Sequence, residues 1–201
     1  MAERSVKGSL ILGVVVAVRR LRDRGQIAAE VLEARLSKEA LSLLDEKIAI
    51  ATWYPVEIFT ELLELDWEIS GGRDPAYLER LGGLTAAKMF DSQRYQQLEY
   101  AERRRSAETR DSLLRQARLI NTVTGTLYDF LDVDVEIVDE FLEITYSNVA
   151  ALGDAVLHTT VGFMTEINER QGNARRWTGE RISPDTIRFR MPLPSRLTAE
   201  S

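Results

Sequence analysis

The one histidine of this 201-residue chain, His158, stands four residues after Asp154. On a helix that spacing puts both side chains on one face, where a carboxylate can orient an imidazole for acid–base work. Catalysis needs a convergent set, however, and local spacing places no serine nucleophile or second base beside the pair. A packed or surface histidine is the plainer reading. Asp132, Asp134 and Glu136 alternate with Val133 and Val135 and offer three carboxylates to a cation. On a strand they share one face, but no glycine turn wraps them around a calcium ion. Trp53, Tyr54, Phe59 and Trp67 crowd into one short stretch. Aromatic side chains at that density suit the wall of an apolar pocket, and core packing would use them equally well. Trp53, Tyr54, Phe59 and Tyr146 form the candidate pocket set.

Composition removes other chemistries. With no cysteine, disulfides, zinc–thiolate sites, iron–sulfur clusters and thiol catalysis are excluded. Gly71-Gly72 and Gly82-Gly83 lack the lysine and spacing of a phosphate-binding loop. No catalytic, metal or cofactor-binding residue is assigned, and the chain is expected not to be an enzyme. A net charge of −6 gives no general pull toward nucleic acid. Arg103, Arg104 and Arg105 form a basic knot, but without interleaved aromatics it reads as a solvated loop.

The elements that must carry these residues follow from periodicity. Leu10 to Val18 is an apolar run broken only by Gly13. It is too short to span a bilayer, and the arginines from Arg19 onward deny it a signal-peptide cleavage region. Apolar on every side, it predicts a helix buried all round, in the core or against a partner. Leu10, Ile11, Val14, Val15 and Val18 are its candidate self-association residues. Ile27, Val31, Leu32 and Leu36 predict a helix, and Ser37 starts a short one. Trp53-Tyr54-Pro55 is expected to open a longer helix, proline suiting a first turn. Its apolar stripe is Ile58, Leu62, Leu65 and Ile69, and its stripe of Glu57, Glu61, Glu64 and Glu68 reads as a solvated face. Gly71-Gly72 ends it, Asp74-Pro75 starts the next, and Gly82-Gly83 is expected to punctuate again. Leu113, Leu114, Ala117 and Ile120 mark one more helix.

At Val133 the period changes from 3.6 to 2. Val133, Val135 and Ile137, then Leu142, Ile144 and Tyr146, alternate with polar residues across the acidic turn Asp139-Glu140, which predicts a β-hairpin. A helix carrying Val156, Leu157, Val161, Met164 and Ile167 follows and ends at Gly172. Arg175 to Ile182 and the alternating Ile187, Phe189 and Met191 predict a second hairpin, turning at Ser183-Pro184-Asp185. No lysine or arginine lies between Arg118 and Arg170, whereas the second hairpin is rich in arginine. Opposite charges on one sheet face are favourable, so the two hairpins are expected to join. The fold class is α+β, a helical layer packed on one face of a four-stranded antiparallel sheet. Residues 1–201 are expected to form one domain with an ordered core over about 6–192 and a frayed tail from Ser195.

Val6-Lys7-Gly8-Ser9, Trp53-Tyr54-Pro55 and the strand–helix–hairpin ending resemble a bacterial family of proteins of this length and of unknown function. That family is similar to a wider superfamily of haem nitric-oxide/oxygen-binding domains, V4R ligand-binding domains of bacterial regulators and TRAPP vesicle-transport components. The resemblance spans residues 6–191. It implies helices over a sheet, in some members around an apolar cavity, and often pairing through helices. The haem domains use a proximal histidine upstream of a Tyr-x-Ser-x-Arg strand motif. Tyr146 takes the tyrosine place, but Asn148 and Ala150 stand where serine and arginine belong, and no histidine precedes Tyr146. On this ground haem is not expected.

Two functions follow as expectations. The first is a non-enzymatic cytoplasmic interaction or regulatory module of TRAPP/V4R-like fold, pairing as a homodimer or with a related protein. The alternative is a sensor domain that binds a small hydrophobic ligand in a cavity between helices and sheet. Neither involves nucleic acid or a membrane span.

Overall fold

The computed structural model describes residues 4–91 and 109–198. In chain order the elements are β1 (Ser5–Lys7), α1 (Gly8–Asp23), α2 (Ala29–Arg35), α3 (Lys38–Leu43), β2 (Trp53–Pro55), α4 (Val56–Ile69), α5 (Pro75–Phe90), α6 (Arg110–Leu127), β3 (Asp132–Val138), β4 (Phe141–Ser147), α7 (Asp154–Arg170), β5 (Thr178–Ser183), β6 (Thr186–Pro192) and α8 (Ser195–Thr198). The basic knot at Arg103–Arg105 lies outside the described residues.

The sheet is antiparallel in the order β3-β4-β6-β5. Each hairpin closes as the alternation requires. Val138 pairs with Phe141 across Asp139-Glu140, where Asp139 takes a φ of 52°, a conformation Asp tolerates better than most side chains. The hairpins join along β4 and β6, in the register Leu142↔Met191, Glu143↔Arg190, Ile144↔Phe189 and Tyr146↔Ile187. Leu142, Ile144, Tyr146, Ile187, Phe189 and Met191 thereby form a buried inner face against the helices. The mixed α+β class with a four-stranded antiparallel sheet is the one the periodicity predicts. A second, two-stranded sheet pairs β1 with β2.

Several expectations are corrected. Trp53-Tyr54-Pro55 is not the first turn of a helix. It is β2, with Lys7↔Trp53 and Ser5↔Pro55 in register, and α4 starts only at Val56. Three residues carry too little alternation to declare a strand, and the partner strand lies at the far N-terminus. Gly82-Gly83 does not punctuate. α5 runs through both, because Gly82 lies where a Cβ would land on the Thr159 carbonyl oxygen of α7. Gly162 is the reciprocal contact, its missing Cβ making room for the Glu79 carbonyl oxygen. The tail from Ser195 is not frayed throughout, since Leu197 of α8 is buried with Leu193.

α1 is the largest correction. Ile11, Val14, Val15 and Val18 are buried in the chain's own core, and Leu10 is half-buried against it. Each such aliphatic side chain contributes about 1.5–3 kcal/mol when fully buried. α1 packs on α4, and Arg19 donates to the carbonyl oxygens of Leu43, Leu44 and Glu46, clasping the end of α3 onto it. Ile11, Val14, Val15 and Val18 thus serve the monomer's own core, while Leu10, Leu12 and Val16 are partly exposed.

The glutamate stripe of α4 is also more than a solvated face. Glu61 accepts from the Ser37 backbone N–H at 2.8 Å, before α3. Glu64 accepts from the Ala155 N–H at 3.1 Å, at the start of α7, where a carboxylate complements the helix dipole. Glu68 pairs with Arg35 and Arg73. The stripe ties four neighbouring segments to α4.

Candidate functional site

The helix–sheet interface is where the fold gathers buried polar groups in an apolar setting. α6 and α7 cover the inner sheet face, and Trp177 leads into β5 at 3% exposure. Between them lies a cavity of about 10 Å³. Ala117 and Ile120 of α6, Met164 and Asn168 of α7, Trp177 and Met191 of β6 line it. That is room for about one water-sized centre. Trp177 is fixed by its backbone N–H, which donates to Thr165 Oγ1 at 3.3 Å. Its indole Nε1–H is buried with no hydrogen-bond partner among the described residues. A donor left so costs on the order of 1–3 kcal/mol. Asn168 Nδ2 donates to the Arg175 carbonyl at 2.6 Å and lies 3.0 Å from Met191 Sδ. Among the described residues no charged side chain lines the cavity, so its chemistry suits a neutral guest.

Farther along the same interface, Tyr146 Oη and Thr124 Oγ1 are hydrogen-bonded at 2.8 Å. The Tyr146 ring meets Phe189 edge-on, with centroids 5.1 Å apart. Burial pushes the Tyr146 phenol up to about 12, and Tyr128 is raised by the same cause. Both phenols are neutral across the physiological range.

The residues singled out in the sequence do not meet in one place. Trp53 is 39% exposed, with Lys7 Nζ 3.9 Å from its ring centroid. Tyr54 Oη accepts from the Ala49 N–H at 2.9 Å. Phe59 is in the core on α4. Only Tyr146 belongs to the helix–sheet interface. Asp154 accepts from Arg181 Nε at 2.9 Å, while the His158 ring packs on Trp67 at 5.5 Å, so the two do not act as a pair. Asp132, Asp134 and Glu136 lie along the exposed face of β3, and Asp132 accepts from Asn148 Nδ2 at 2.6 Å. Asp66, with only 1% exposure, accepts from Tyr77 Oη and Ser70 Oγ, each at 2.8 Å. This buried carboxylate ties α4 to α5 and gave no signal in the sequence beyond lying between apolar neighbours. Trp177, Asn168 and Met164 were likewise not singled out as a site. Met164 was legible as inner-face, but Trp177 sits in a run whose alternation is weak.

No family model matches the chain, and no curated protein matches it. Among solved structures it is similar to the Fe(II) unliganded H-NOX protein of K. algicida, with a TM-score of 0.61 at 14% identity over 94% of this chain and 97% of that one. A point mutant of the same protein gives 0.60 at 15% identity, covering 95% and 98%. A point mutant of T. tengcongensis H-NOX gives 0.51 at 10% identity, covering 92% and 96%.

This likeness overturns the expectation, drawn from Asn148 and Ala150, that haem is not bound: each of these structures of similar fold is an H-NOX protein, and the first two are named with unliganded Fe(II). The residues set against the haem motif are engaged within the chain. Tyr146 is engaged by Thr124, Asn148 by Asp132, the Ala150 N–H by Asp185, and His158 by Trp67. The fold of this chain is similar to that of the H-NOX proteins over 92–95% of its length.

Proposed function

We infer that the chain is a sensor-type domain, one that binds a small ligand between its helical layer and its four-stranded sheet and does no chemistry on it. The observation that carries this reading is the fold likeness to H-NOX proteins across 94% of the chain. The interface supports it with neutral buried groups at Trp177, Asn168, Thr124 and Tyr146 and, among the described residues, with no charged side chain lining the cavity. These two facts favour the sensor over an interaction module pairing through α1, whose Ile11, Val14, Val15 and Val18 are buried in the monomer.

The test is native mass spectrometry of the purified chain, followed by thermal unfolding with hemin and with a panel of small neutral organic molecules. A ligand that binds the folded state alone at a hundred times its Kd stabilises by about 2.7 kcal/mol. One-to-one saturable binding with that stabilisation is the expected result. A chain that purifies without ligand and is stabilised by no member of the panel, hemin included, overturns the reading.

A further inference from the structure

We propose that the cavity beside Trp177 is a binding site for one neutral oxygen acceptor, received by the Trp177 indole N–H. The proposal rests on two independent observations. One is a water-sized cavity between α6, α7, β4 and β6. The other is that Trp177, which forms one wall, carries a buried Nε1–H with no partner among the described residues. Buried donors in folded proteins are paired in the great majority, so this one identifies what its guest must supply. The guest must be an acceptor, because an indole N–H only donates. It must be neutral, because among the described residues no charged side chain lines the walls to pair an ion.

The size of the site limits the guest further. The volume of about 10 Å³ admits a single oxygen-sized centre. The acceptor can be an internal water or the carbonyl oxygen of a small organic molecule whose apolar body follows it. The second case needs the walls to yield. Met164 and Met191, unbranched with three rotatable bonds and a polarizable sulfur, and the partly exposed Gln171 are lining side chains able to do so. Ala117, fully buried on α6, is another part of the wall and cannot move without its helix.

This deepens the sensor reading by naming the polar anchor of its ligand site, and the organic arm rests on that reading. The water arm does not.

The experiment is NMR of the whole 15N-labelled chain. The three tryptophans give three indole signals, assigned by Trp53→Phe and Trp177→Phe. Exchange-filtered cross-relaxation to water tests the first source. Titration with acetone, and with isobutene as its isostere lacking the oxygen, tests the second. A long-lived water contact at the Trp177 indole proton assigns the site to water. A saturable shift with acetone and none with isobutene assigns it to an organic carbonyl. In either case Ala117→Leu, which fills the cavity while leaving Trp177 in place, should abolish the signal. The proposal falls if the indole proton shows neither contact, if isobutene shifts it as acetone does, or if Ala117→Leu leaves the response intact. Should Trp177→Phe fail to fold, Trp53→Phe and Trp67→Phe assign the remaining signal by elimination. A water contact without any small-molecule binding would leave this site standing while the sensor reading failed.

Discussion

Arg190 of β6 donates from Nε to Glu143 Oε1 of β4 at 2.8 Å, and the carboxylate it holds is only 5% exposed although it points to the outer face of the sheet. The pair stitches the acidic hairpin to the basic one at the strand boundary where they meet. Across β4 from Arg190 lies Glu136, directly opposite Glu143, a like-charge arrangement that Arg190 offsets. Arg188, one pair along, is bonded to Glu180 of its own hairpin.

The two arginines should therefore behave differently. Arg190→Ala leaves a buried carboxylate beside a second one and should cost about 2–3 kcal/mol, less than the full ~3–5 of a wholly buried pair because Arg190 is itself 34% exposed. Adding Glu143→Gln should recover part of the loss. Arg188→Ala should cost much less. Urea denaturation of the three variants measures this. Equal losses at Arg190 and Arg188 would show that the sheet face, and not the buried partner, sets the energy.

Glu64 reaches from α4 to the first turn of α7, where its carboxylate accepts from the Ala155 N–H and Thr60 Oγ1 donates to the Ala151 carbonyl beside it. Glu64→Ala should lower stability by about 1 kcal/mol, the worth of an anion at a partly buried helix N-terminus. Glu64→Gln should lose less, keeping an acceptor without the charge. A Glu64→Gln loss as large as that of Glu64→Ala would assign the whole effect to the carboxylate's charge.

The sheet was legible because its signals are local and redundant. Val133 to Ile137 and Leu142 to Tyr146 alternate, Asp139-Glu140 turns, and the charges of the hairpins complement each other. Helix ends at Gly71-Gly72 and Gly172 were equally plain. What failed to show were features defined by a remote partner. β2 is a strand only because Val6 faces Tyr54. Glu61, Glu64 and Glu68 read as solvent-facing because the segments they bind lie elsewhere in the chain. Trp177 gave no site signal because its property, a buried donor without an acceptor, exists only once α6, α7 and the sheet close around it. The same dipeptide pattern, Gly-Gly, marks a helix end at Gly71-Gly72 and a helix crossing at Gly82-Gly83.

That ambiguity yields a sharp contrast. Alanine is better than glycine in a helix by about 0.8–1.0 kcal/mol. Gly13 of α1 and Gly125 of α6 have nothing among the described residues within 4 Å of an added Cβ, so alanine there should stabilise. Gly82→Ala and Gly162→Ala would drive a methyl group into the backbone carbonyls of Thr159 and Glu79. Backbone cannot rotate away as a side chain can, so each should destabilise by at least about 2 kcal/mol. Thermal unfolding separates the two classes by the sign of the shift in Tm. A rise in Tm at Gly82 or Gly162 would show that α5 and α7 are not in contact at those residues.

The final prediction concerns acid. Arg35, and after it Arg73, hold the Glu68 carboxyl well below its usual 4.5, at about 2. The direction of the stability effect follows from linkage. A carboxyl with a lowered folded-state pKa contributes stability that is whole above the unfolded value, and that contribution is lost as pH falls toward the folded one. For Glu68 the window runs from 4.5 down to about 2. Glu68→Gln removes the ionisation, so it should be less stable than wild type above the window and approach it near the bottom. The side chain is a third exposed, so added salt should narrow the gap above the window by screening. Denaturant unfolding of both proteins across the pH range reads the difference directly. A gap that stays constant from neutral pH down to 2 would mean that Glu68 acts through hydrogen-bond geometry alone and that its charge contributes nothing to holding α2 and the Arg73 turn against α4.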